Sequence, residues 1–368
     1  MRPVSQLDVR RHNAALALAA VTARPGSTRA EVAAATGLAK ATVSTVVDRL
    51  VAGGLVTETG PQPRAGRGRT GVGLALSPAG PHGIGVSIGV NHVTACLVDP
   101  LGAVRARRLR GGDNRGSSPS AVLAVVERVV RSLVGEGAVV GGVGVAVPGL
   151  VRDGVLLSAP NLGWAGVPVA LDAPVPVVVQ NEANAAALAE RRDHADFVLV
   201  SGEVGVGAGI VRGGVLETGV HGFAGELGHV CVNPAGPRCG CGARGCLETY
   251  AGTDALPPLS AARAGDQDAL ATLHTAGKYL GQALSALVNL LDIPTVILGG
   301  DHAPYAPWLT EPLRGELHHR AIAARWTTPR VLASTLGREA AALGAARAAT
   351  APIADDPEAW LQSRDQAL

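Results

Sequence analysis

Three of the chain's five cysteines, Cys239, Cys241 and Cys246, fall within eight residues, and His229 stands ten residues upstream. Glycines at 240, 242 and 245 lie between and beside them. This spacing confines the backbone to a tight knuckle and leaves few uses for the thiols. Cys239 and Cys241 are too close for ordinary disulfide geometry, and a bridge would leave one thiol over. Three thiolates and one imidazole at loop spacing suit a closed, tetrahedral structural zinc set. Cys96 and Cys231 lie in apolar, strand-like runs and read as core residues, Cys231 being a lesser competitor for the metal. Glu226 precedes His229 by three residues, and Glu248 follows Cys246 by two. A metal knuckle joining two loops is expected to aim both carboxylates into one cleft. Asn181 and Glu182 end a buried apolar run, where α/β sheets place ligands. Carboxylates and amides converging in this way suit a polyhydroxylated ligand, whose hydroxyls need acceptors.

The chain has 368 residues, 47% of them hydrophobic, enough for two or three domains with sizeable cores. No stretch of about 18 uncharged apolar residues marks a membrane span. The first 20 residues carry charges where a secretory signal needs an apolar run, so they are expected to form a helix. A bacterial cytoplasmic protein follows, and reduced thiols there favour metal over disulfide.

Charge is unevenly shared. Residues 1–78 hold ten Lys/Arg against four Asp/Glu, while the remainder holds 22 against 26. A basic head on a mildly acidic body suggests that the head meets a polyanion. Thr28 and Glu31 form a capping box that opens a helix running to about Thr36. Gly37-Leu38-Ala39 makes a tight turn, and a second helix follows from Lys40 to about Ala52. Its Val43, Val46, Val47 and Leu50 recur at helical spacing, and Lys40, Thr42, Ser44 and Thr45 occupy the other face. Two helices joined by so short a turn match a helix-turn-helix. Leu55–Glu58 and Val72–Leu76 read as two strands around a loop holding Arg64, Arg67 and Arg69. This is the pattern of a winged helix whose arginines reach phosphates or a minor groove. The residues expected to touch DNA are Lys40, Thr42, Ser44, Thr45, Arg67 and Arg69.

Residues 1–76 are therefore assigned to a DNA-binding head and 77–83 to a linker. Beyond the linker, Val/Ile-rich strands with glycine turns alternate with Ala-rich helices, as in an α/β body. This body is expected over 84–350, in two lobes divided near 195, with a C-terminal tail over 351–368.

Four stretches of the body, PGLVRDGVLLSAPNLGW (148–164), NEANAAALAE (181–190), GELGH (225–229) and CGCGARGCLE (239–248), resemble signatures of the ROK family of repressors, open reading frames and sugar kinases. The resemblance covers nearly the whole chain, and the winged helix ahead of the body is the arrangement of the family's regulators. It implies an actin/hexokinase-like, ribonuclease H-like fold with a sugar cleft between two lobes. It implies zinc at His229, Cys239, Cys241 and Cys246. It also implies sugar contacts at Asn181, Glu182, Glu226, His229 and Glu248, with Asn161 a weaker candidate.

Departures from the kinase pattern fall on the phosphoryl-transfer side. Family kinases carry Asp-x-Gly-Gly-Thr in the first phosphate loop, where this chain has Ser87-Ile-Gly89-Val90-Asn91. Their second loop reads Gly-Thr-Gly, and here it is Glu203-Val204-Gly205. Val204 removes a hydroxyl, and Glu203 brings negative charge to a phosphate position. Glu182 replaces the catalytic Asp, and one extra methylene displaces a positioned base by about 1 Å. ATP is therefore not expected as a cofactor and no residue is assigned a catalytic role. The expectation is a sugar-responsive repressor, a homodimer or homotetramer on operator DNA, associated with the nucleoid when bound. The alternative is a sugar kinase that retains a DNA-binding head.

Overall fold

The computed structural model describes residues 5–62, 71–135, 137–191, 193–327 and 329–365. In the head, α1 (Gln6–Ala23), α2 (Arg29–Thr36) and α3 (Lys40–Ala52) pack with a small sheet of β1 (Ser27–Thr28), β2 (Val56–Gln62) and β3 (Gly71–Leu76). The capping box is present: Thr28 Oγ1 accepts from the Glu31 N–H, and Glu31 accepts from the Thr28 N–H at 2.8 Å. Gly37, at φ +72°, ends α2 in a left-handed cap that bulkier residues enter at a cost. Arg29 donates to Asp48 of α3 at 2.7 Å and to Glu58 of β2 at 2.8 Å, tying three elements together. Val43, Val47 and Leu50 of α3 are buried, as its spacing predicts.

Two five-stranded sheets of the body repeat one plan. In the first, β4 (His82–Ile88), β5 (His92–Val98) and β6 (Val104–Gly111) form an antiparallel meander. After α4 (Pro119–Val134), β7 (Val140–Val147) and β11 (Val177–Asn181) extend the sheet in parallel from β4. A three-stranded sheet of β8 (Leu150–Arg152), β9 (Val155–Ala159) and β10 (Trp164–Pro168) intervenes. The chain then runs into α5 (Glu182–Glu190). In the second sheet the meander is β12 (Phe197–Ser201), β13 (Gly207–Arg212) and β14 (Val215–Leu216). The short helices α6 (Glu248–Ala251) and α7 (Leu259–Arg263) and the long α8 (Gln267–Leu291) precede β15 (Thr295–Leu298), which lies parallel to β12. Beyond α9 (Ala306–Arg320), β16 (Arg330–Ala333) completes the sheet. This is the two-lobed α/β architecture that the alternating strands and helices predict.

The lobes interlock through small residues. Helix α5 packs on β12 and β13, and α10 (Ala340–Asp355) packs on β4, β7 and α5. A Cβ on Gly85 or Gly144 would overlap the carbonyl oxygens of Ala342 and Ala345 in α10. One on Gly344 would overlap the Ala185 carbonyl of α5. Backbone therefore meets backbone along this seam.

The segments expected as linker and tail are both packed against the rest of the chain. Ser77 and residues 80–83 are buried, and β4 already begins at His82, so only Pro78 and Ala79 are exposed in this connection. Residues 351–365 form the last turn of α10 and a further helix, α11 (Pro357–Asp365), that docks on the head. Leu361 of α11 is 5% exposed and belongs to the head's hydrophobic core, filling the space beside Gly53. Buried Glu358 accepts two hydrogen bonds from Arg49 of α3, at 2.6 and 2.8 Å. Among the described residues no helix is long and apolar enough to cross a membrane.

Truncating Leu361 to Ala should lower stability to urea by about 2–4 kcal/mol, because it opens a cavity under α3. Leu290, which is 78% exposed, serves as the control, and its alanine variant should stay within about 0.5 kcal/mol of the parent.

Candidate metal centre and ligand cleft

Between β14 and α6 the chain folds into the knuckle that the cysteine spacing predicts. Its loops are closed by backbone hydrogen bonds from Cys239 to the Ala243 carbonyl and from Gly245 to that of Pro237, both 2.8 Å. Gly245 has φ +67°, and a Cβ there would overlap the Asn233 carbonyl, so the closure demands glycine. The side-chain ligand atoms of His229, Cys239, Cys241 and Cys246 lie within 4.8 Å of one another. Sγ of Cys241 and Sγ of Cys246 are 3.7 Å apart, and Cys239 Sγ is 3.8 Å from His229 Nδ1. Metal–sulfur bonds of about 2.3 Å in a tetrahedron put sulfurs about 3.8 Å apart, whereas a disulfide needs about 2.0 Å. The four residues thus fit a tetrahedral metal ion and not a bridge. Cys231 is exposed and stands outside this group, and Cys96 is buried in the first lobe. Burial pushes the Cys96 thiol up to about 12, so it is inert.

His229 faces two ways. Its Nδ1 points to the thiols, and its Nε2 lies 3.9 Å from a carboxylate oxygen of Glu226. A metal held on Nδ1 leaves the proton on Nε2, facing Glu226. Burial raises the Glu226 carboxyl above its ordinary range, His229 opposes the shift, and Glu248 adds to it. Glu248 Oε1 is 3.9 Å from Cys239 Sγ. Its other oxygen lies over Gly205, where a Cβ would overlap it and would stand 3.6 Å from Asn161 Nδ2. The knuckle therefore brings Glu226, His229 and Glu248 together, with Asn161 beside Glu248.

Asn181 and Glu182 have partners of their own. Asn181 caps α5, its Oδ1 accepting from Ala183 and Asn184 at 2.8 and 3.1 Å. Its Nδ2 donates to the Gly149 carbonyl at 2.9 Å. Glu182 lines a wall with Ser87, His92, Glu203, Asp301 and Arg338, where about 40 Å³ is left for solvent. Among the described residues, no hydrogen bond or ion pair joins Asn181 or Glu182 to Glu226, His229 or Glu248. Burial, and then the neighbouring Glu203, push Glu182 up to about 7. Glu203 itself accepts from the N–H groups of Val90 and Asn91, at 2.5 and 3.1 Å, in the turn after β4. Of this wall, the sequence singled out Ser87, Glu182 and the residues around Val204. It missed His92, Asp301 and Arg338, and the hint it carried was the Gly-Gly-Asp that follows β15.

In the head, Lys40 and Thr45 are exposed on α3, and Thr42 and Ser44 are half-buried. Arg67 and Arg69 lie outside the described residues.

A profile of the ROK family matches residues 83–351. The chain belongs to the ROK family. A profile of the MarR family matches residues 7–68, which places the head among MarR-type winged helices. The xylose repressor of Bacillus subtilis is 29% identical, with 92% of this chain and 95% of that protein covered. A ROK-family transcriptional regulator described as a homologue of the E. coli MLC protein superposes with a TM-score of 0.82 at 24% identity. That match spans 96% of this chain and 99% of the other, so the fold extends over head and body together. A ROK-family glucokinase from Streptomyces griseus, solved with glucose and AMPPNP, has a TM-score of 0.65 at 30% identity. It covers 73% of this chain and 99% of its own. This ROK chain thus shares its body with kinases and its full length with regulators.

Two outcomes are expected. Replacing Cys241 by Ser should lower bound metal, measured by atomic emission on the purified protein, from about one ion per chain to a small fraction. Glu182 titrates higher in the fold than in the unfolded chain, so its contribution falls as pH rises from its ordinary 4.5 through about 7. Glu182→Gln should therefore stabilise the protein by about 1–3 kcal/mol at pH 8 and hardly at all at pH 5, as read from urea melts at both values.

Proposed function

We propose that this ROK-family chain is a transcriptional repressor whose winged helix holds operator DNA and whose body releases it when a neutral sugar enters the cleft. The observation that carries this reading is one chain joining a MarR-type head to a cleft whose sugar side is furnished and whose phosphate side is not. On the sugar side, Glu226 and Glu248 offer acceptors to hydroxyl groups, the Nε2–H of His229 offers a donor, and Asn161, Asn181 and Glu182 are the further contacts. The repressors among its relatives make D-xylose the first effector to try.

Zinc would be held by His229, Cys239, Cys241 and Cys246, and its role there is structural: it would fix the loops that carry Glu226 and Glu248. On the phosphate side Ser87 offers no carboxylate for a magnesium ion, and Val204 offers no hydroxyl. The acidic side chains of Glu182, Glu203 and Asp301 oppose a nucleotide by like-charge repulsion. The protein is accordingly a regulator and not an enzyme. On DNA, α3 enters the major groove with Lys40, Thr42, Ser44 and Thr45, and Arg67 and Arg69 of the wing take phosphates or a minor groove. Two heads of a homodimer or homotetramer would meet half-sites about one helical turn apart. A sugar shifts DNA affinity only through its different affinities for the bound and free arrangements.

Genome-wide binding followed by gel shifts tests the reading. Binding should be site-specific, fall steeply with salt and be relieved by one sugar of a panel. Glu248→Gln should raise the sugar concentration needed for release about tenfold or more, as expected for a lost charged acceptor. Equal binding to random DNA would sink the reading, as would ATP-dependent sugar turnover at enzyme-like rates.

A further inference from the structure

The turn between β4 and β5 is shaped to hold an anion. Consecutive N–H groups of Val90 and Asn91 face one carboxylate, each donating to a different oxygen, and such a backbone concavity carries positive potential. Asn114 braces the turn from behind, its Nδ2 donating to the carbonyls of Gly89 and His92 at 2.7 and 3.2 Å. At the focus lies the carboxylate of Glu203, which follows β12 in the other lobe. Oε2 accepts from Val90 at 2.5 Å and Oε1 from Asn91 at 3.1 Å. His92 Nδ1 is 3.2 Å from Oε1.

The rest of the surroundings are fitted to this carboxylate. A Cβ on Gly89 would overlap Oε2, so the turn is cut to admit it. The Glu203 backbone is held as well, its carbonyl accepting from Thr253 Oγ1 at 2.6 Å. The side chain is only 13% exposed. Burial alone would raise its carboxyl, yet His92 and the two N–H groups together draw it below the ordinary range, so it stays ionised. Three directed contacts from the first lobe thus meet one charged group of the second.

We propose that Glu203 is an internal anionic ligand: its carboxylate occupies an oxyanion site of the first lobe and clasps the second lobe to it. The turn corresponds to the first phosphate loop of family kinases; what is new here is its occupant, and emptied of Glu203 it would be free for inorganic phosphate or the terminal phosphate of a polyphosphate. The inference goes beyond the regulator reading, since it holds whichever sugar or operator the protein uses.

Calorimetric titration of the full-length protein with inorganic phosphate and with tripolyphosphate, at fixed ionic strength, tests it. Glu203→Ala should bind tripolyphosphate at least tenfold more tightly than the parent. Amide exchange at residues 89–92 should quicken at least tenfold in the same variant. Circular dichroism and metal content establish that the variant is folded. In Glu203→Gln, the amide proton resonances of Val90 and Asn91 should move upfield as the charge-assisted bonds are lost. That measurement decides the matter if the alanine variant fails to fold. A folded alanine variant with no gain in phosphate binding would overturn the proposal. So would a parent protein that binds tripolyphosphate as tightly as the variant, or unmoved Val90 and Asn91 resonances in Glu203→Gln.

Discussion

The close approach of α10 to the first sheet is the constraint on which the rest of the molecule depends. Carbonyls of Ala342 and Ala345 occupy space that side chains at Gly85 and Gly144 would fill. Because those side chains are absent, one helix runs against β4 and β7 and meets α5 through Gly344. Helix α5 in turn covers β12 and β13 of the second sheet. The lobes are therefore coupled at backbone level, where packing is stiff and small displacements are transmitted. The same helix starts beside Arg338 in the cleft wall and ends next to α11, which fills the head's core. Cleft and head share one rigid element.

This arrangement explains how far the sequence could be read. The head was legible because its signals are local: a capping box at Thr28, a glycine cap at Gly37 and helical spacing of Val43, Val47 and Leu50. The metal cluster was legible for the same reason, its ligands lying on one short stretch. The seam was not. A glycine records only that something comes close, not what, and with 49 of them the close approaches could not be told from turns. The three-stranded sheet over 150–168 escaped notice because its strands are three to five residues long. Helix α11 escaped because its partners, Arg49 and Gly53, lie some three hundred residues earlier and its own sequence has few apolar residues.

The cleft separates two kinds of polar group. Near the knuckle, Glu226, His229 and Glu248 owe their position to loops that a metal would tie. Across the cleft, Glu182, Glu203 and Asp301 crowd one wall, and their charges are moderated by His92 and Arg338. Family kinases resemble this chain through the body, and the contrast lies in the second group. A wall furnished with acids costs the fold some stability, which Glu182 shows by holding its proton to about 7.

Leu361 carries a consequence for how the protein is made. The head precedes the body along the chain, yet its hydrophobic core is closed by Leu361, which follows the body. A nascent or prematurely halted chain has α3 without its support from Leu361 and Glu358. The packing beneath α3 is thus completed only after the intervening body has been synthesised.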